Sequence, residues 1–139
     1  MFALSDKKVL VTGASGGIGG AIARAMHAQG ATVALAGRNR DALDALAGEL
    51  GDRCHVIVGD LGDTASADAM LSAASDAMDG IDVLVNNAGL TRDNLAMRIK
   101  DEDWQAVIDV NPTAAFRLSR AVLRGMMKAR WGRIINITS

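Results

Sequence analysis

Short apolar runs alternate with longer amphipathic stretches along the whole chain. Nearly continuous apolar runs of this length are typical of buried strands. They are predicted at Val9–Thr12, Thr32–Ala36, His55–Val58, Val83–Asn86 and Arg133–Thr138. Between them, apolar residues recur at three- and four-residue steps, as on one face of a helix. The alternation of strand and helix predicts a parallel sheet with helices on both faces.

Four amphipathic stretches supply the predicted helices. Each places its apolar residues on one stripe that can cover a face of the sheet. The stripes consist of Ile18, Ile22 and Met26; Leu43, Leu46 and Leu50; Met70, Ala74 and Met78; and Leu118, Val122 and Met126. The fourth helix is the longest and is predicted from Asp101 to Ala129. Asp63 or Thr64 can cap the third helix, and Asp101 the fourth.

The predicted elements form one doubly wound α/β domain that spans residues 1–139, with no linker or repeat to mark a second domain. Right-handed crossovers and a reversal of winding after the third strand give the strand order 3-2-1-4-5. This order opens a crevice at the carboxyl ends of the first and fourth strands, where open α/β sheets bind ligands. The Gly- and Asn-rich segments of the chain follow those strand ends.

Composition narrows the class of protein. The net charge is −1 and opposed charges are scattered, which speaks against nucleic-acid binding. No apolar run approaches the roughly 20 residues that span a bilayer, and the N-terminus lacks a signal-peptide pattern, so we expect a cytoplasmic protein without a membrane partner. Cys54, His27 and His55 stand apart from one another, and we therefore predict no metal site and no catalytic thiol.

The eight residues from Thr12 to Gly19 have the pattern of a phosphate cradle. Their sequence, Thr-Gly-Ala-Ser-Gly-Gly-Ile-Gly, follows the first predicted strand and opens the first helix. Such a turn needs glycine where the backbone adopts a positive φ or a ligand approaches closely, and the helix N-terminus offers N–H groups to an anion. A purely structural glycine turn is the alternative.

Two further strand ends carry candidate chemistry. An acid at the end of the second strand would accept from ribose hydroxyls and repel a 2′-phosphate. This chain has Ala36 and Gly37 there, followed by Arg38, whose guanidinium suits a phosphate. The pattern favours NADP(H), with a solvated arginine as the alternative. The small residues of the Asn-Asn-Ala-Gly run at 86–89 let the backbone approach a flat ring, and its two amides can bridge neighbouring strand ends. A plain turn is the alternative, because Asn and Gly favour turns.

Together these motifs give the chain a family resemblance. The Thr-Gly-x-x-x-Gly-x-Gly run, the Asn-Asn-Ala-Gly run, Asn111 and Ser139 resemble the classical short-chain dehydrogenases/reductases. Within that family, residues 89–95, 97–98, 103–104 and 116–119 are similar to bacterial 3-oxoacyl-acyl-carrier-protein reductases. The resemblance implies a Rossmann-like NADP-binding domain that ends at the catalytic serine and lacks the last strands of the family fold.

The resemblance also implies which residues form the site. Ser139 would donate to the substrate carbonyl and Asn111 would anchor a water, both as catalytic residues. The implied cofactor-binding residues are Gly13, Ala14, Ser15, Gly16, Ile18 and Gly19 at the pyrophosphate, Arg38 at the 2′-phosphate, Asp60 and Leu61 at the adenine, and Asn87, Ala88 and Gly89 at the ribose near the nicotinamide.

The implied activity is NADPH-dependent reduction of a 3-oxoacyl group carried by acyl-carrier protein, a step of fatty acid biosynthesis. The family's proton-donating tyrosine and its partner lysine have no counterpart, because the 139 residues contain no Tyr. We therefore expect this chain to bind cofactor more readily than it turns over. A non-catalytic nucleotide-binding or scaffold module, and a reductase of another carbonyl substrate, are the alternatives.

Two features of the last third of the chain bear on assembly. Pro112 directly follows Asn111, and either sits at an existing helix break or displaces the asparagine. The fifth strand is an apolar edge strand, which invites pairing with another copy. We expect a homo-oligomer formed through the 101–129 helix, which lies in a dimer interface in the family, or through the fifth strand.

Overall fold

The computed structural model describes residues 3–87, 102 and 114–137. The elements in this part of the chain are β1 Lys8–Thr12, α1 Gly17–Ala28, β2 Thr32–Gly37, α2 Arg40–Leu50, β3 Cys54–Val58, α3 Thr64–Met78, β4 Val83–Asn86, α4 Ala114–Ala129 and β5 Arg133–Asn136. The first four predicted strands begin and end within one residue of their predicted bounds. The fifth ends at Asn136, and Thr138 lies outside the described residues.

The five strands form one parallel sheet in the order β3-β2-β1-β4-β5. Val9 of β1 is in register with Val33 of β2 on one side and with Val83 of β4 on the other, so β1 lies at the centre. The predicted strand order is confirmed. From β1 the chain adds β2 and β3 on one side, and after β3 it crosses back to add β4 and β5 on the other side. Because the winding reverses between β1 and β4, the carboxyl ends of these two strands flank a crevice.

Alternate strand residues build a separate core on each face of the sheet. Leu10 and Leu84 pack with α3 and α4, whereas Val11 and Leu35 pack with α1 and α2. The predicted stripes of α3 and α4 are confirmed, because Met70, Ala74, Met78, Leu118, Val122 and Met126 are all buried. In β1, β2 and β4, burial on both faces explains why the strands are nearly continuously apolar rather than alternating.

Helix α1 does not bury the stripe that its large apolar residues predict. Ile18 is 64% exposed, whereas Gly19, Gly20 and Ala23 are buried against the sheet. Small side chains let the first turns of the helix approach the strands closely, so the contact there is made by backbone. Ile22 and Met26 are only partly buried, at the margin of the core. The prediction that the large apolar residues mark the buried face of α1 is therefore wrong.

Two helices begin at side-chain caps. Asp63 Oδ1 accepts from Ala65 N at 3.3 Å at the start of α3, which confirms one of the two predicted caps. Asn39 Oδ1 accepts from Ala42 N at 3.1 Å at the start of α2. Each bond satisfies one of the N–H groups that a helix N-terminus leaves open. The predicted cap Asp101 lies outside the described residues.

Polar contacts fasten the amino ends of the strands. Lys8 N donates to Asp82 Oδ2 at 2.9 Å, and Lys8 Nζ donates to the Asp79 carbonyl oxygen at 2.7 Å. Leu4 N donates to the Gln29 carbonyl oxygen at 2.7 Å, which ties the segment before β1 to the C-terminal end of α1. This amino edge of the sheet is the one opposite the crevice.

Candidate functional site

The loop from β1 to α1 leads into an uncapped helix N-terminus. Gly13 has a φ of +64°, in the left-handed region that glycine adopts without strain. Ala14 N donates to the Ala36 carbonyl oxygen at 3.0 Å, and Gly16 N donates to the Gly13 carbonyl oxygen at 3.2 Å, so backbone bonds fix the loop. Gly16, the N-cap of α1, supplies no side-chain bond. The first-turn N–H groups of α1 are therefore available to an anion.

The glycines of this loop serve different purposes. A Cβ on Gly19 would collide with the Gly13 carbonyl oxygen and would lie 2.6 Å from Asn87 Nδ2. Gly19 is therefore required by packing. A Cβ on Gly16 would find only an ordinary contact, 3.6 Å from the Gly13 carbonyl oxygen, and one on Gly17 would meet nothing within 4 Å. The space beside Gly16 and Gly17 is open to a ligand.

Thr12 and Asn87 fasten this loop to β4. The buried Thr12 Oγ1 donates to the Val85 carbonyl oxygen at 3.2 Å and accepts from Asn87 N at 2.9 Å. Asn87 Nδ2 donates to the Gly13 carbonyl oxygen at 3.3 Å. The two strand ends that flank the crevice are thereby held together. The hydrophobic pattern gives no sign of this role for Thr12, except that a threonine ends an otherwise apolar strand.

The carboxyl end of β2 is open and positively charged. Arg38 is exposed and takes part in none of the ion pairs among the described residues. Ser15 Oγ borders the same place, since it lies 3.3 Å from where a Cβ of Gly37 would stand. An exposed guanidinium that follows a strand end without an acid is suited to a phosphate group, and the Ser15 hydroxyl borders that strand end at Gly37.

The segment after β3 borders the same edge. Gly59 N donates to the Gly37 carbonyl oxygen at 3.0 Å, which continues the pairing of β2 with β3 beyond the strands. Asp60 is exposed; its Oδ1 accepts from Gly62 N and its backbone N donates to Ser66 Oγ, both at 2.9 Å. The Leu61 side chain belongs to the core. Only its backbone is left for the adenine contact that the family resemblance implies.

The described candidate residues all lie at the carboxyl edge of the sheet, as a dinucleotide stretched across that edge requires. They are Gly13, Ala14, Ser15, Gly16, Ile18, Gly19, Arg38, Asp60, Leu61 and Asn87. The remaining candidates, Ala88, Gly89, Asn111 and Ser139, lie outside the described residues, as does Pro112.

Cys54 lies at the start of β3, on the amino edge and away from the crevice. Its Sγ is 3.6 Å from the Ala47 carbonyl oxygen. Burial raises the pKa of this thiol, and the nearby charge of Asp52 raises it further, against a smaller opposite effect of Arg53. A thiol with a raised pKa is a poor nucleophile at neutral pH.

Over the described ranges, no three His, Cys, Asp or Glu side chains are grouped so that they could hold a metal ion. The helices in the same part of the chain are all too short or too polar to cross a membrane.

Comparison with known proteins gives one consistent set of likenesses. A family model described as short chain dehydrogenase matches residues 7–139. Nodulation protein G of Rhizobium sp. (strain N33) is 52% identical over 139 residues, which are 100% of this chain and 57% of that protein. The 3-oxoacyl-[acyl-carrier-protein] reductase FabG of Vibrio cholerae is 48% identical over 136 residues, which are 98% of this chain and 56% of that protein.

A solved structure has the same fold. It is a serine dehydrogenase in its closed form, complexed with NADP+, with 40% sequence identity and a TM-score of 0.87. The match covers 94% of this chain and 53% of that one. The chain thus spans little more than half the length of the relatives that it matches.

Proposed function

Because the chain belongs to the short chain dehydrogenase family, we propose that it binds NADP(H) at the carboxyl edge of its sheet. The uncapped N-terminus of α1 receives the pyrophosphate, and the open space beside Gly16 and Gly17 lets it approach the backbone. Asn87 with the following Ala88 and Gly89 borders the ribose next to the nicotinamide. The serine dehydrogenase of the same fold supports this proposal, because it was solved with NADP+.

One observation carries the choice of NADP(H) over NAD(H). Arg38 is exposed and forms no ion pair among the described residues, and it follows a strand end that has Gly37 in place of an acid. A guanidinium attracts the 2′-phosphate, and no carboxylate on the strand end repels it. The same place offers the ribose hydroxyls of NAD(H) no carboxylate acceptor.

For the whole protein we propose reduction of a 3-oxoacyl thioester carried by acyl-carrier protein. The name of the Vibrio cholerae relative, 48% identical, supports this substrate. A bound nicotinamide supplies the hydride. The Ser139 hydroxyl donates to the substrate carbonyl oxygen, where negative charge develops, and Asn111 holds a water. The proton donor is not among these 139 residues, which contain no tyrosine.

A second candidate is a nucleotide-binding module without catalysis. A Tyr-x-x-x-Lys run after residue 139 in the parent coding sequence would favour the reductase over the module, whereas an assay of the 139-residue chain tests which residues the reductase site needs. We expect the 139-residue chain to reduce a 3-oxoacyl thioester at least about 100-fold more slowly than the Vibrio cholerae reductase assayed alongside, since a missing general acid costs that much or more. Turnover equal to that of the relative would contradict the proposal that these 139 residues lack the proton donor of the site.

Isothermal titration of the 139-residue chain with NADPH and with NADH tests the cofactor site. We expect NADPH to bind at least about tenfold more tightly, and Arg38→Ala to weaken NADPH about 10- to 100-fold while leaving NADH unchanged, as for one charge-assisted contact. Arg124→Ala, which removes an exposed arginine of α4, is the matched control. Equal or tighter binding of NADH by the wild type would overturn the assignment to NADP(H).

A further inference from the structure

Asn86, the last residue of β4, holds β5 with both its backbone and its side chain. Its carbonyl oxygen accepts from Ile137 N at 3.0 Å. Its Nδ2 donates to Asn136 Oδ1 at 2.9 Å and also to Ser119 Oγ of α4 at 3.2 Å. One amide therefore joins two strands and a helix at the carboxyl edge of the sheet.

The orientation of this amide is set by the two side chains that it reaches. Asn86 is 7% exposed, and its Oδ1 is buried without a hydrogen-bond partner among the described residues. Because this oxygen accepts no bond there, it does not hold the group in place. Asn136 Oδ1 and Ser119 Oγ do so by accepting both bonds of Nδ2. Losing either acceptor leaves the amide less firmly oriented.

The next residue, Asn87, connects the end of β4 to β1 and the glycine loop, on the other side from β5. Asn87 Nδ2 donates to the Gly13 carbonyl oxygen, and Asn87 N donates to Thr12 Oγ1. Two consecutive asparagines thus link the phosphate-binding loop to the strand that leads into Ser139, which follows Asn136 by three residues in the sequence. Asn136 is itself exposed, so core packing does not account for its amide group.

We propose that Asn136 and Ser119 are positioning residues, which orient the Asn86 amide and thereby align the end of β5, and the Ser139 that follows it, with the cofactor loop. The roles of Ser139 and of the cofactor in this proposal rest on the proposed function. The bonds among the three side chains do not. Because coupling between two sites is reciprocal, we expect β5 to sense a ligand at the loop more weakly once this network is broken.

The apo chain gives the first test, by nuclear magnetic resonance of isotope-labelled protein. Asn136→Ala is expected to shift the Asn86 side-chain amide and the Ile137 and Ser139 backbone amides. It should also speed hydrogen exchange of Ile137 N–H about tenfold, by loosening one local contact. Asn136→Asp, which keeps an oxygen acceptor, should restore these signals. Unchanged signals in Asn136→Ala would overturn the proposal.

Two serine variants test whether shifts of the Asn86 resonances come from the loss of a bond to Asn86 or from any loss of a serine hydroxyl. Ser119→Ala removes the other acceptor and should move the same Asn86 resonances. Ser72→Ala removes the same atom from an exposed position of α3 and should leave them in place. A loss of stability in Asn136→Ala that Asn136→Asp fails to rescue would contradict a positioning role.

Adding saturating NADPH gives the second test. In the wild type the Ser139 amide should respond to the cofactor, and in Asn136→Ala that response should fall by about half or more while the Kd stays within about threefold. An equal response in both proteins would overturn the proposal. If NADPH does not bind the wild type, the proposed function fails, whereas the apo signals still decide whether Asn136 and Ser119 orient Asn86.

Discussion

Thr12 and Gly19 shape the crevice without needing to touch a ligand. The Thr12 hydroxyl joins the ends of β1 and β4 through two hydrogen bonds. Gly19 contributes by lacking a side chain, since a Cβ would collide with the Gly13 carbonyl oxygen. Both effects fix where the backbone N–H groups of the loop point. At the residue scale, the site depends on backbone position as much as on side-chain chemistry.

A pair of glycine variants tests this reading of the loop. Gly19→Ala should lower the free energy of unfolding by about 1–3 kcal/mol, because the obstructing atom is backbone and cannot turn away. Gly17→Ala, two positions earlier in the same turn, meets nothing within 4 Å and should stay within about 0.5 kcal/mol of the wild type. Urea unfolding measures both. Equal stability of the two variants would show that Gly19 is not sterically required.

At the scale of helices and strands, the elements that the sequence predicts well are those packed by large side chains. The stripes of α3 and α4 are buried as predicted, because methionine, leucine and valine mark the sheet-facing side. In α1 glycine and alanine make that contact, so periodicity of large residues points to the exposed Ile18 instead. Close backbone packing leaves no hydrophobic signal in the sequence.

The N-cap of α3 gives a prediction for one element. Asp63→Ala removes the side-chain bond to Ala65 N and a favourable charge at the helix N-terminus, and should destabilise the chain by about 0.5–2 kcal/mol. Asp76→Ala makes the same charge change in the last turn of α3, where an acid opposes the helix dipole. We expect its stability to be equal to or slightly above that of the wild type in thermal unfolding. A larger loss for Asp76→Ala would contradict this.

Which parts of the site can be predicted from the sequence depends on how far apart in the chain the interacting residues lie. Arg38 and Asp60 could be placed at the carboxyl edge because each follows a recognisable strand. The sequence also predicts that the Asn86 and Asn87 amides bridge neighbouring strand ends. It does not predict Ser119 and Asn136 as the partners of Asn86, because they lie 33 and 50 positions away in the sequence. Such bonds depend on strand register and helix placement, which a hydrophobic pattern does not specify.

At the scale of the whole molecule, most of the large apolar residues that are exposed in the described part of the chain lie on α4 and β5. Phe116, Leu123 and Met127 are exposed along one side of α4, and Ile135 is exposed on β5. A groove of about 410 Å³ runs between the two elements, lined in part by Leu123, Met127 and Ile134. In the described structure β5 pairs only with β4, so its other edge presents unpaired backbone groups. Edges of this kind favour association with another strand.

We therefore expect the 139-residue chain to self-associate, with a sedimentation mass that rises with concentration. The double variant Met127→Lys, Ile135→Lys adds charge to both exposed elements and should remain monomeric where the wild type does not. Ile18→Lys introduces one lysine at an exposed apolar residue of α1 and should associate like the wild type. A wild type that is monomeric over a wide concentration range would reject this expectation.

The parallel sheet also fixes which way the protein should be attached to a solid support. All strands start at the amino edge, where Leu4 is tied to Gln29 and Lys8 to Asp79. A chip linker placed before residue 3 therefore leaves from the side opposite Arg38 and the glycine loop. Immobilised in that direction, the molecule turns its crevice towards the flowing solution, and small analytes can reach it without passing the support.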